Sequence, residues 1–223
     1  MARSDRYLKA LGYTYRQLLN VPRELFHSQR VYRWMVRINR REEGLPDAIG
    51  DHEYYLDPSD PGTYRPPLPE DVSLAAFFHN IPKCIFTKRP SEYWDLDHRR
   101  DWTESRARLL KEFVRKPLTE AGYSNGEALH IEIMIMGERT RFSRESLLLC
   151  DADDLDFITH KVESPEWYAA MGTDEKISRI AERTERMGSA ARGLLIEHRF
   201  SDPGLDEALR EGALVAFPDR FDF

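Results

Sequence analysis

Three aspartates directly behind an apolar run hold more chemistry in their spacing than any other residues of this chain. Leu147-Leu148-Leu149-Cys150 leads into Asp151-Ala152-Asp153-Asp154. A buried strand ending in Asp-x-Asp-Asp brings several hard carboxylate oxygens to one place, and such oxygens suit Mg²⁺ or Mn²⁺, which in turn can hold a diphosphate. Arg139, Arg141 and Arg144 lie just upstream and are available to phosphate. The competing reading is an acidic helix start or solvated turn, with Asp153, Asp154 and Asp156 meeting a helix dipole or water. A calcium loop does not fit, because the glycine and closing glutamate of that pattern are missing at the required offsets.

Asp151 and Asp153 resemble the Asp-x-Asp metal motif of nucleotide-sugar glycosyltransferases. That likeness covers only Leu147 to Asp154 and implies a metal-dependent transferase or hydrolase centred on Asp151, Asp153 and Asp154. Those enzymes carry a nucleotide-binding βαβ half before the motif, where this chain has helical patterns and a proline-rich stretch.

Other candidate sites yield to ordinary structure. Gly122-Tyr123-Ser124-Asn125-Gly126 has the G-x-S-x-G spacing of a nucleophile elbow, which needs a strand before it and a helix after it. Here the patterns run in the opposite order, so Gly122 is expected to end a helix and Ser124-Asn125-Gly126 to turn. Asp95, Asp97, His98 and Asp101 lie between Trp94 and Trp102, an acid/base arrangement that also reads as a helix entrance salted by Arg99 and Arg100. His27, His52, His79, His130, His160 and His198 show no paired spacing. Cys84 and Cys150, the only cysteines, are far apart, which excludes a disulfide framework and a paired-cysteine zinc motif and fits a reducing compartment.

The elements that would position these groups follow from periodicity. Ser4 caps a first helix bearing Tyr7, Leu8, Leu11, Tyr15, Leu18 and Leu19 at helical spacing. Pro22 opens a second, to about Arg41, whose Val31, Trp34, Met35 and Ile38 form a stripe for burial. The short link predicts an antiparallel hairpin. Eight of the thirteen prolines fall between Leu45 and Tyr93, which predicts an extended arm carrying Tyr54, Tyr55 and Tyr64. Pro69, Glu70 and Asp71 start one short helix within it. Asp101 and Glu104 cap a helix that ends at Gly122. The strict alternation of Leu129, Ile131, Ile133 and Ile135 predicts a strand, His130 and Glu132 sharing its other face. Ser146 to Cys150 and Gly193 to Phe200 read as further short strands, Asp174 to Gly188 as an amphipathic helix, and the tail from Leu205 begins helical. The expected fold class is therefore α+β and helix-rich: a basic helical hairpin over 1–44, an extended proline-rich arm over 45–93, and a compact region over 94–223 with a short sheet.

Charge is distributed unevenly. Residues 1–43 carry ten Lys/Arg against four Asp/Glu, a local +6 in a chain of net −6. Arg30, Arg33, Arg37 and Arg40 recur at helical spacing on the flank of the second helix's apolar stripe. With an overall pI near 5.7, nucleic acid is an unlikely partner for this ladder, and acidic groups of another protein are the expected one. No apolar run approaches the roughly 20 residues of a membrane span. The first 41 residues are Arg-rich and acid-poor, as mitochondrial presequences are.

Tyr15-Arg16-Gln17-Leu18-Leu19 followed by an Arg-rich helix is similar to the start of the LYR family, small mitochondrial helical proteins that serve as complex subunits and assembly factors and bind acyl carrier protein. The likeness ends near residue 40. Thr14 stands in place of the family's leucine and its downstream phenylalanine is not evident, so the chain is not assigned to that family. The expectation from the whole sequence is a non-catalytic interaction subunit of a larger protein assembly, with a mitochondrial location favoured over a cytoplasmic one and no cofactor. It docks on other protein subunits through Arg30, Arg33, Arg37, Arg40 and through Tyr54, Tyr55 and Tyr64. The alternative is the Mg²⁺- or Mn²⁺-dependent transferase or hydrolase.

Overall fold

A computed structural model describes residues 4–45, 67–87, 106–137, 143–162, 164 and 172–210. Most of the proline-rich stretch, with Tyr54, Tyr55 and Tyr64, lies outside them, as do the Trp94 to Trp102 cluster, Arg139, Arg141 and residues 211–223. The chain divides into two compact units, one from Met1–Tyr32 and Ala48–Leu149, the other from Arg33–Asp47 and Cys150–Phe223. Among the described residues 81% are helical and none is in a strand, so the helix-rich character is present there while the short sheet of the expected α+β class is not, and the described architecture is helical.

In the first unit α1 (Asp5–Leu18) starts at Ser4, whose Oγ accepts from the Tyr7 amide. A turn closed by Val21 N–H donating to the Leu18 carbonyl leads into α2 (Pro22–Glu42). The expected short helix after Pro69 is α3 (Glu70–Phe78), and every residue from Val72 to Phe78 is buried. A helix that is apolar all round has to be enclosed. α1 and α4 (Ile81–Thr87) pack on it, and so does α6 (Asn125–Gly137). Helical residues 106–110 continue through a π-helical turn, Lys111–Arg115, into α5 (Lys116–Ala121). The wider turn precedes Pro117, which has no amide to donate and whose ring would crowd the preceding turn of a regular α-helix. α1 packs chiefly on α3 and α5, and Gln29 of α2 donates to the Tyr15 hydroxyl at 3.1 Å.

Leu129 to Met136 is a helix, not a strand. Gly122 ends α5 in the left-handed region at φ 107°, with Tyr123 N–H reaching back to the Leu118 carbonyl at 3.0 Å, a glycine stop of Schellman type. Ser124 and Glu127 then form a capping box. The Ser124 Oγ accepts from the Glu127 amide, and the Glu127 carboxylate accepts from the Ser124 amide at 2.8 Å. These bonds hold the Glu127 carboxyl below its ordinary pKa. Ala128, Ile131, Met134 and Ile135 face inward at spacings that fit a 3.6-residue period as well as the odd-numbered apolar residues fit a period of two.

The other two strand readings are corrected in the same way. Ser146 to Cys150 belongs to α7 (Arg144–Asp156), where Ser143 Oγ accepts from the Ser146 amide and the buried face runs on through Leu148, Ala152, Leu155 and Ile158. A π-helical turn, Phe157–Lys161, follows. Gly193 lies inside α9 (Ser189–Ile196). A Cβ there would meet the Arg41 guanidinium at 2.9 to 3.0 Å, so this glycine serves close packing and does not mark the start of a strand. The second unit also holds α8 (Thr173–Thr184) and α10 (Pro203–Arg210), which pack on each other.

The capping box makes a direct expectation. Ser124→Ala removes the acceptor for the Glu127 amide and should lower stability by about 1 kcal/mol, measured by chemical denaturation, with little change in helix content by circular dichroism.

Candidate functional site

The arginine ladder is real in geometry, since Arg30, Arg33, Arg37 and Arg40 all lie on α2. Their side chains are not idle. Arg37 lies over the Trp34 ring at 4.6 Å from its centroid, and none of the four is without a contact. Arg33 is exposed and the other three are half-buried. Val31, Trp34, Met35 and Ile38 are buried as their spacing predicts. Arg41, one residue beyond the ladder, pairs with Glu197 at 2.8 Å.

The aspartate cluster sits on α7 rather than at a strand end. Asp154 is 1% exposed and takes the guanidinium groups of both Arg183 and Arg186, the latter through two bonds of 2.7 and 2.9 Å. Asp154 in turn holds Arg186 above its ordinary pKa. Asp151, also buried, accepts from the Gly188 amide at 2.9 Å, just ahead of α9. Asp153 is half-buried on the same helix. In this arrangement Asp154 is the counter-ion of two arginines and Asp151 satisfies a helix start. His130, on α6, lies 3.6 Å from Asp71. Glu132 is buried and bound through both oxygens by Arg115, at 2.5 and 2.9 Å.

A polar cleft of about 520 Å³ in the first unit is lined by Arg6, Glu70, Asp71, Tyr123, Glu127 and His130. Glu70 accepts from the Ser4 amide and hydroxyl at 2.7 and 2.8 Å and from the Tyr123 hydroxyl at 3.3 Å, while Arg6 bonds Glu127 at 2.8 Å and lies over the Tyr123 ring. Burial, then the Glu70 charge, push the Tyr123 phenol up to about 12. These carboxylates are committed to holding the start of α1 against α3 and α6.

Two features escaped the sequence reading. His27 on α2 and His79 at the end of α3 face each other, with Nε2 to Nε2 at 3.2 Å, and both are buried. Fifty-two residues separate them, so no local spacing could have paired them. The second is the outer face of α6, where Leu129, Ile133 and Met136 are 39%, 44% and 43% exposed at i, i+4 and i+7. The capping box Ser124-x-x-Glu127 was the signal that would have revealed this face.

Two outcomes follow. Replacing Arg183 and Arg186 together by Met leaves Asp154 as an unpaired buried carboxylate and should cost about 3 kcal/mol of stability in urea; adding Asp154→Leu to that chain should restore much of it. Because the folded Tyr123 phenol titrates near 12 and the unfolded one near about 10, its stabilising neutral form is complete below pH ~10 and is lost as pH rises towards ~12. Tyr123→Phe should remove that part of the alkaline loss in a denaturation series across pH. The chain matches no family model, no curated protein and no solved structure.

Proposed function

We propose that the chain is a non-catalytic interaction subunit of a larger protein assembly, and that it docks through the outer face of α6. The observation that supports this is the exposure of Leu129, Ile133 and Met136 on a helix whose opposite face is already in the core. A helix apolar on both faces has the composition of an enclosed helix. Its outer ridge fits the apolar face of a helix in another subunit, anchored at i, i+4 and i+7. The exposed Arg33 guanidinium suits an acidic group on a protein partner. A mitochondrial location is proposed on the Arg-rich, acid-poor composition of residues 1–41.

Covering the exposed part of each apolar side chain contributes roughly 1 kcal/mol, so losing two of them weakens association by about thirtyfold or more. The chain purified from its native source at low concentration should travel in a stoichiometric complex with other polypeptides. The variant Leu129→Asp with Ile133→Asp, checked for native helix content, should travel alone at 26.2 kDa. A native chain that already migrates as a monomer, or a variant that keeps the whole complex, overturns the proposal.

A further inference from the structure

The geometry points to a transition-metal site, with Zn²⁺ as its ion, built by the imidazoles of His27 and His79. His79 Nδ1 lies 2.6 Å from the Ala76 carbonyl oxygen. A carbonyl only accepts, so Nδ1 carries the proton and the neutral ring presents the bare lone pair of Nε2. That lone pair points at Nε2 of His27, 3.2 Å away. In the metal-free protein His27 donates its Nε2 proton into this contact. When the ion enters, that proton leaves Nε2 and is carried on Nδ1 instead, so two neutral imidazoles turn their Nε2 lone pairs to one cation.

The distance suits the chemistry. Two nitrogens bound to one tetrahedral Zn²⁺ at roughly 2.0 to 2.1 Å stand about 3.3 to 3.4 Å apart, close to the 3.2 Å found. The rings meet edge to face, their planes 60° apart and their centroids 5.2 Å apart, so neither ring stacks over the other's nitrogen. A ligating histidine characteristically donates its second nitrogen to a carbonyl or carboxylate, which fixes the tautomer and the ring; the Ala76 carbonyl does this for His79. Borderline Zn²⁺ suits imidazole nitrogen, whereas Mg²⁺ and Ca²⁺ prefer oxygen. Two imidazoles fix two vertices of the tetrahedron, and the remaining vertices go to water or a further donor.

Position is held by backbone and by a neighbour. The His79 amide closes the end of α3 on the Ala75 carbonyl at 3.0 Å. Asn80, next in the chain, donates to Glu24 at 2.8 Å, and Glu24 lies one turn before His27 on α2. This bond locks the end of α3 to α2 beside the imidazoles, which makes Glu24 and Asn80 positioning residues for the pair.

The test is a calorimetric titration of the full chain with Zn²⁺ at neutral pH in a non-chelating buffer. One ion should bind per chain, and His27→Gln and His79→Gln should each weaken binding by at least about tenfold, whereas His130→Gln, at an exposed imidazole, should leave it unchanged. Should either variant lose its native circular dichroism, long-range ¹⁵N correlations of the unmodified chain replace it. One equivalent of Zn²⁺ should then shift both Nε2 resonances. Absence of stoichiometric binding, binding indifferent to both variants, or Nε2 resonances that do not move each overturns the assignment. The inference is independent of the docking face, so Leu129→Asp with Ile133→Asp should bind Zn²⁺ as the unmodified chain does.

Discussion

The first unit is organised by a short helix that has no solvent face. From Val72 to Phe78 every residue of α3 is buried, and a helix of that kind is stable only if neighbours surround it. α1, α4 and α6 do so. Aromatic rings complete the enclosure: Tyr13 stacks on Phe78 at 5.9 Å between centroids, and Tyr15 and Tyr32 close on Phe77. The polar ends are then drawn to fixed places. Glu70 at the start of α3 gathers Ser4 and Tyr123, and His79 at its end is brought to His27. Both the polar cleft and the imidazole pair are consequences of burying α3.

Charge inside the molecule is handled by arginine forks. Glu132 in the first unit and Asp154 in the second are each nearly inaccessible, and each is met by guanidinium through more than one bond. A buried pair of this sort contributes little net stability, because desolvation offsets most of the attraction. Its effect is geometric, since a planar fork accepts a carboxylate in few orientations. α6 is thereby held in one rotation about its axis, with Glu132 inward and Leu129, Ile133 and Met136 outward.

Helices with a 3.6-residue stripe were evident from the residues: α1 from Ser4 and its tyrosines, α2 from Pro22 and Val31 to Ile38, and α8 from Ile177 and Ile180; α3, buried on every side, was marked only by Pro69, Glu70 and Asp71 at its start. The strand errors have two physical causes. In α7 the buried positions mix leucines with Ser146, Asp151, Asp154 and Asp156, and in α6 the outward face is nearly as apolar as the inward one; a helix without amphipathic contrast gives no period to detect. β-branched isoleucines at alternate positions then tipped the reading to strand. Gly193 misled because a glycine's packing role leaves no mark in the sequence. The aspartate cluster stands out in the sequence, yet its partners Arg183, Arg186 and Gly188 lie 29, 32 and 37 residues away along the chain, beyond any local motif. The histidine pair is invisible for the same reason.

Arg41 and Gly193 bear on how the chain is made. The second unit combines residues near the N-terminus with residues of its last third, and Arg41 rests where a side chain at 193 would be. A ribosome adding about 5 to 20 residues each second releases Arg41 roughly 150 residues before Gly193, an interval of ~8 to 30 s. Over that interval Trp34, Met35, Val36 and Ile38, all buried in the finished protein, have emerged without the later part of their own unit. The apolar stripe of α2 thus waits for the rest of its own unit for longer than most local folding takes, so this unit can be completed only late in synthesis.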